Sequence, residues 1–210
     1  CYEPNAASRI LDAHDRITKI INNYASISFN FGPTLLSWLE HHDPSTYAAI
    51  LDADRMSRER FGHGSAISQV YNHMILPLAN ARDKRTQVRW GIRDFEKRFG
   101  RLPHGMWLPE TAVDIPSLEA LAVEGIEFTI LEPRQATTAN GPVDPTQPYV
   151  CKLPSGRSIA IFFYDGPISR AVAFENLLAR GENRAHRLLA AFTETRDPPQ
   201  PANNATHRQT

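Results

Sequence analysis

The chain has 210 residues, of which 41% are hydrophobic and 22% charged, an ordinary composition for a globular protein. Its 23 Lys and Arg residues balance 23 Asp and Glu residues, which argues against a nucleic-acid or anionic-membrane partner. The two cysteines, Cys1 and Cys151, are too few for a disulfide scaffold, and we expect a cytoplasmic protein without a membrane segment.

Short apolar runs alternate with amphipathic stretches along the chain, a pattern typical of βα units. The predicted strands are 17–21, 27–31, 106–108, 128–131, 149–151 and 159–164, with a further apolar segment at 70–78 that Pro77 interrupts. The predicted helices are 33–39, 45–61, 83–99, 114–122, 168–178 and 182–195, with Asp43 or Ser45 as the cap of the second helix and Asp114 as the cap of the fourth. Residues 133–148 contain four prolines and are predicted to form a long loop.

The helix predicted at 83–99 has the clearest periodicity. One stripe with i, i+4, i+7 and i+11 spacing consists of Val88, Ile92, Phe95 and Phe99. Such a stripe faces a hydrophobic core, and Gly100 suits the end of the helix. Successive βα units of this kind predict an α/β fold with buried parallel strands, in an open or a closed sheet. In both forms, functional residues lie at the carboxyl ends of the strands.

Residues 105–110 read Gly-Met-Trp-Leu-Pro-Glu and place a carboxylate, Glu110, at the end of a short apolar run. A carboxylate at a strand end beside an aromatic ring, here Trp107, is typical of sugar-cleaving barrel enzymes. The alternative is a surface glutamate at a helix entry, where the helix dipole favours acidic side chains. Asp165 also follows a predicted strand.

Four segments together resemble family 57 of the glycoside hydrolases, in particular its bacterial amylase-like branch. They are Asn-Phe-Gly-Pro-Thr-Leu-Leu at 30–36, Tyr-Asn-His-Met-Ile-Leu-Pro-Leu at 71–78, the hexapeptide at 105–110, and Phe-Phe-Tyr-Asp-Gly-Pro-Ile-Ser at 162–169. The similarity covers residues 1–197. We therefore expect 1–197 to be a partial catalytic domain and 198–210 to be an irregular tail.

The resemblance implies an incomplete seven-stranded parallel (β/α) barrel of the glycoside hydrolase and deacetylase type, which we expect to be truncated at both ends of this chain. It also implies action on α-glucans with retention of configuration, through a covalent glycosyl-enzyme intermediate. The partner would be an oligo- or polysaccharide, and no cofactor or metal is implied. Hydrolysis, transglycosylation and branching share this intermediate, so the sequence does not choose among them, and it does not indicate an oligomeric state.

The resemblance also assigns roles to residues. Glu110 matches the nucleophile, and His73 matches a histidine that contacts sugar or carboxylate at the cleavage subsite. Trp107 would offer a stacking face for a pyranose, and Asn30 and Asp165 would bind substrate at the same edge of the sheet. Two alternatives remain open: Asp165 as the cap of the next helix, and His73 as a buried histidine hydrogen-bonded to the backbone.

The acid/base residue of the family is an aspartate in a run close to Ala-Thr-Asp-Gly-Glu. This chain reads Ala-Thr-His-Arg-Gln at 205–209, so His207 stands at the aspartate position. A histidine beside a carboxylate becomes an imidazolium instead of a neutral acid, and Arg208 is bulkier than glycine. We therefore expect this chain to have little or no activity.

Two other functions are compatible with parts of the sequence. A metal-dependent polysaccharide deacetylase-like enzyme would use ligands from His41, His42, His63 and His73, with Asp54 or Asp165 as a carboxylate. However, these histidines lack the spacing of a helical metal site, and His41 and His42 also suit a helix C-terminus. A non-catalytic carbohydrate-binding remnant is the second alternative, favoured by the altered acid/base motif.

Overall fold

A computed structural model describes residues 2–138, 141–179 and 181–193. The described residues form two compact units. Unit 1 contains those within 1–130 and 149–162, and unit 2 contains those within 131–148 and 163–210.

The helices and strands are numbered along the chain. The helices are α1 (Glu3–Ala6), α2 (Pro33–His42), α3 (Pro44–Phe61), α4 (Ala81–Phe99), α5 (Ile115–Val123), α6 (Gly166–Phe174) and α7 (Gly181–Thr193). The strands are β1 (Ser8–Leu11), β2 (Ile17–Ile21), β3 (Ser68–Gln69), β4 (Met106–Trp107), β5 (Phe128–Leu131), β6 (Thr137–Thr138), β7 (Gly141–Pro142), β8 (Tyr149–Lys152) and β9 (Ser158–Phe163). Elements β6, β7, α6 and α7 lie in unit 2, as do the last residues of β5 and β9.

Parallel pairing links the short strands of unit 1. Phe29 pairs with Ala66, β3 with β4, and Gly105 with Phe128, all in parallel. Strand β9 lies between β5 and β8, and its pairing with β8 is antiparallel. The predicted α/β fold is therefore confirmed, with strands of mixed direction among the described residues. The complete seven-stranded barrel stays a prediction.

The first strands differ from the prediction. Residues 17–21 do form a strand, but it is largely exposed and pairs antiparallel with β1 in a hairpin, so the prediction of a buried parallel strand was wrong there. The Asp12 carboxylate accepts hydrogen bonds from the backbone N–H groups of His14 and Arg16, and these bonds shape the hairpin turn. Residues 27–31 were predicted as a strand but contribute only the single bridge at Phe29.

The apolar segment at 70–78 is interrupted at Pro77, as its sequence indicated. Pairing occurs just before it, at Ser68–Gln69, and the chain then turns. The apolar residues end in a 3₁₀ turn, Leu76–Leu78, in which Leu76 is fully buried. Pro77 has no N–H to donate to a neighbouring strand, which favours a turn over a strand.

Helix α4 buries residues of the predicted apolar stripe and packs closely on β3. Val88 and Phe95 are buried, and Gly100 ends the helix in a left-handed conformation. A Cβ atom on Gly91 would lie 2.2 Å from the carbonyl oxygen of Gln69. Only glycine allows this approach, so Gly91 sets the position of the helix against the strand.

A buried ion pair lies in unit 1 between α3 and the chain that follows α4. The Asp54 carboxylate is 2% exposed and receives both Nη2, at 2.7 Å, and Nε, at 2.9 Å, of Arg101. The same guanidinium donates to the Ala66 carbonyl, and the Ala66 N–H donates to Asp54. The four groups form a closed network in which each charge is hydrogen-bonded.

A second ion pair joins α4 to the start of α5. Lys84 is 6% exposed in its side chain, and its Nζ lies 3.0 Å from Oδ2 of Asp114, which caps α5 by accepting from Ser117. The sequence predicted this cap by Asp114, and the structure confirms it. Partial burial raises the pKa of Asp114, but hydrogen bonds from Ser117 and Lys84 outweigh burial and bring that pKa below its ordinary value.

This pKa shift predicts a pH dependence of stability. Because the pKa of Asp114 is lower in the folded state, its contribution is fully present above the unfolded pKa of about 3.9. It is lost as pH falls through the folded pKa. The free energy of unfolding, measured with urea from pH 7 to pH 2, should therefore fall more steeply with decreasing pH for the native chain than for Asp114→Asn. The asparagine keeps a side-chain oxygen for the cap. Parallel curves for the two proteins would contradict this linkage.

Unit 2 contains the hairpin β6–β7 and the helices α6 and α7. The prediction that 133–148 is a loop throughout was wrong, because β6 and β7 pair antiparallel within it. The helix predicted at 168–178 is α6, which begins earlier and ends at Phe174, and Asn176 beyond it has a positive φ of 55°. Within the described part of the chain, no helix has the length and apolar character that crossing a bilayer requires.

Candidate active site

The structure brings His73 and Glu110 together. Nε2 of His73 lies 3.5 Å from Oε1 of Glu110, at the outer limit for a hydrogen bond. His73 follows β3 and Glu110 follows β4, and these strands are parallel neighbours, so both side chains extend from the same edge. Their side chains are 58% and 74% exposed, so the alternative of a buried histidine is wrong.

His73 and Glu110 both have a strained backbone conformation. His73 has a φ of 53°, Glu110 of 55° and Thr111 of 51°, all in the left-handed region. This region costs a residue other than glycine about 1–2 kcal/mol, and most of all a β-branched residue such as Thr111. Observed strain of this kind is a reason to infer function, because it persists only where the surroundings over-determine the backbone.

Trp107 occupies the end of β4, where it pairs with Gln69 of β3. Its side chain is half-buried, and it precedes Glu110 by three residues. The prediction that Trp107 stacks against a sugar ring stays a prediction.

Asn30 lies beside the same strands. Its Nδ2 donates to Oε1 of Gln69 at 2.9 Å, so the Asn30 amide is held by a glutamine that sequence reasoning missed. The available signal was a pair of glycines that make room for Gln69. A Cβ atom on Gly32 would lie 2.5 Å from its Nε2, and one on Gly91 would meet its carbonyl oxygen.

Asp165 lies in unit 2 and caps α6. Its Oδ1 accepts the backbone N–H of Ile168 at 2.8 Å, which confirms the helix-cap alternative. A role for Asp165 in substrate binding stays a prediction. His207, which was predicted to stand at the acid/base position, lies outside the described residues.

Three of the candidate ligands of the alternative metal site make contacts with other groups. Nδ1 of His41 lies 2.7 Å from the Ser37 carbonyl oxygen, and Nδ1 of His42 lies 3.0 Å from that of Trp38. Both rings therefore cap α2, and Asp54 is held by Arg101. In residues 2–138, 141–179 and 181–193, no three or more His, Cys, Asp or Glu side chains are arranged to hold a metal ion.

In α/β enzymes the functional residues lie at the carboxyl ends of parallel strands, which is where this unit brings His73 and Glu110 together. The family is shown by comparison of sequences. The chain belongs to glycosyl hydrolase family 57, whose sequence model matches residues 2–202.

Similar proteins are much longer than this chain. Alpha-amylase 1 of Dictyoglomus thermophilum is 28% identical over 106 residues, which are 50% of this chain and 15% of the amylase. An exo-type maltose-forming amylase from Pyrococcus sp. ST04 has a TM-score of 0.64 at 18% identity, over 83% of this chain and 28% of its own. The 4-alpha-glucanotransferase of Thermococcus litoralis has a TM-score of 0.56 at 18% identity, over 82% of this chain and 31% of its own. At these identities the two structures show a shared fold.

Proposed function

We propose that this chain contains the nucleophile half of a retaining active site for α-glucans, with Glu110 as the nucleophile. The observation that carries the proposal is the contact of 3.5 Å between His73 and Glu110 at the ends of adjacent parallel strands. Family membership and the amylase relative support an α-glucan as the substrate class.

The chemistry follows from this arrangement. His73 donates to one oxygen of Glu110 and orients the carboxylate, and the other oxygen attacks the anomeric carbon. The bond between that carbon and the leaving group breaks while a bond to Glu110 forms, giving a covalent glycosyl-enzyme. Water then releases the sugar in hydrolysis, and a sugar hydroxyl releases it in transfer.

Cleavage of an ordinary glycosidic bond also requires a proton for the leaving oxygen. A retaining site supplies it from a second carboxyl group roughly 5–5.5 Å from the first. By the resemblance of its sequence to the family, this chain has His207 at the expected position of that aspartate. We therefore expect little or no turnover of maltooligosaccharides. A substrate with a fluoride leaving group needs no proton, so it tests the nucleophile by itself.

The test uses the full chain and 5-fluoro-α-glucosyl fluoride. The expected result is a covalent glycosyl adduct, found by intact mass and located by peptide mapping on the peptide that contains Glu110. Maltoheptaose, followed by chromatography, should remain uncleaved. An adduct on another residue would overturn the assignment of Glu110, and cleavage of maltoheptaose above the Glu110→Gln background would overturn the predicted inactivity.

His207 also favours a second function, a carbohydrate-binding protein without catalysis. The same experiment separates the two proposals. Retardation of the chain in an amylose-containing native gel, with no adduct from the fluoride, would support binding alone. Adduct formation would support the nucleophile.

A further inference from the structure

Residues 70–73, here called the His73 loop, connect β3 to the candidate site. We propose that Gln87 of α4 is a positioning residue that holds the His73 loop and thereby aims His73 at Glu110. The expected effect on covalent labelling rests on the proposed role of Glu110. The expected effect on the contact between His73 and Glu110 does not.

The contacts converge on this single glutamine. Gln87 is 5% exposed, and its Oε1 accepts the backbone N–H of Asn72 at 2.9 Å. The backbone carbonyl of Gln87 lies 3.4 Å from the N–H of Tyr71, which donates to it. The two residues that precede His73 are therefore both bonded to one buried residue of the helix.

Gln87 is itself held rigidly. Gly91, one turn further along α4, is in close approach to the Gln69 backbone, and Ser68 donates to the Gly91 carbonyl at 3.2 Å. On the other side, Lys84 ties the same helix to Asp114. The position of the Gln87 amide relative to β3 is thus set by packing and by an ion pair.

The His73 loop requires such an anchor. His73 has a φ of 53°, a conformation that costs free energy and persists only when neighbouring groups impose it. Because the His73 side chain is 58% exposed, side-chain packing contributes little to its direction. The direction of the ring depends on the backbone at 71–73, and the bonds that Tyr71 and Asn72 donate to Gln87 fix that backbone.

Three substitutions separate positioning from stability. Gln87→Met has a similar length but no acceptor for the Asn72 N–H, so the loop is expected to relax. Gln87→Glu keeps an acceptor oxygen and should preserve the loop. Val88→Ala is the matched control, because Val88 is fully buried on the same helix and no hydrogen bond from its side chain reaches the loop. It lowers stability while the loop anchor stays in place.

The first measurement is the coupling between His73 and Glu110, read by NMR from the ring signals of His73. In the native chain and in Val88→Ala, adding Glu110→Gln should change the chemical shifts of these ring signals, because the ring contacts the side chain of Glu110. In Gln87→Met, which keeps the backbone bond from Tyr71 but loses the bond from Asn72, the change should be strongly reduced, and in Gln87→Glu it should return. An undiminished change in Gln87→Met would overturn the proposal.

The second measurement is the rate at which 5-fluoro-α-glucosyl fluoride labels Glu110. Misplacement of a group near the reacting atoms costs up to about 100-fold. We expect a loss of about 10- to 100-fold for Gln87→Met and rates within about 3-fold of native for Gln87→Glu and Val88→Ala. Unchanged labelling in Gln87→Met would also overturn the proposal. If the native chain is not labelled, the proposed function fails, and the NMR coupling alone decides whether Gln87 positions His73.

Discussion

Replacement of Arg101 with methionine is expected to lower the free energy of unfolding by about 3–5 kcal/mol. Arg101 supplies the counter-charge to Asp54, whose side chain is 2% exposed. Without the guanidinium, the Ala66 N–H is the only donor to the Asp54 carboxylate among the described residues. Methionine also lacks the contact of the guanidinium with the Phe95 ring, where Cζ lies 4.8 Å from the ring centroid, so the loss reports the uncompensated charge together with this contact.

Urea unfolding at pH 7, followed by circular dichroism, measures this effect. Arg93→Met is the matched control, because Arg93 pairs with Glu96 on the surface with its side chain 79% exposed, and we expect a change within about 0.5 kcal/mol. Adding Asp54→Asn to Arg101→Met removes the orphaned charge and keeps an acceptor for Ala66. Most of the lost stability should then return. A loss below about 1 kcal/mol for Arg101→Met would show that the pair does not carry the stability assigned to it.

Replacement of Glu110 with glutamine is expected to slow covalent labelling by 5-fluoro-α-glucosyl fluoride by at least about 10³-fold. The amide has nearly the same shape as the carboxylate but is a far weaker nucleophile. The measurement is the rate of adduct formation by intact mass, with the same protein and fluoride concentrations for each variant.

Two controls make the result specific. Glu59→Gln changes another exposed glutamate, on α3, and should leave the labelling rate as it is in the native chain. The stability of Glu110→Gln should stay within about 0.5 kcal/mol of native, because the Glu110 side chain is 74% exposed. Labelling of Glu110→Gln at the native rate would remove Glu110 from the proposed mechanism.

Local signals predicted the helices well. Asp43 and Asp114 cap α3 and α5, and Gly100 ends α4, as their positions in the sequence indicated. Each of these signals acts within a few residues, so the sequence carries it directly. The strands were harder, because β3 and β4 are only two residues long and are defined by pairing with distant segments.

The candidate site was predictable in part for the same reason. The motifs predicted Glu110 at a strand end and His73 at the same cleavage subsite, and the structure brings the two side chains into contact. Gln69 and Gln87 carry no local signal, since a glutamine on an amphipathic helix or a short strand looks like any polar residue, and the glycines that make room for Gln69 are distant from it in the sequence. Their importance comes from hydrogen bonds to residues 39 and 15 positions away, to Asn30 and Asn72.

The left-handed backbone at His73, Glu110 and Thr111 affects how this protein responds to engineering. Glycine adopts that conformation without a steric penalty, so screens that reward thermostability alone will favour glycine at these positions. The gain in melting temperature would then remove the imidazole and the carboxylate together. Optimisation of this domain should hold residues 73 and 110 constant and seek stabilising changes on the exposed faces of its helices.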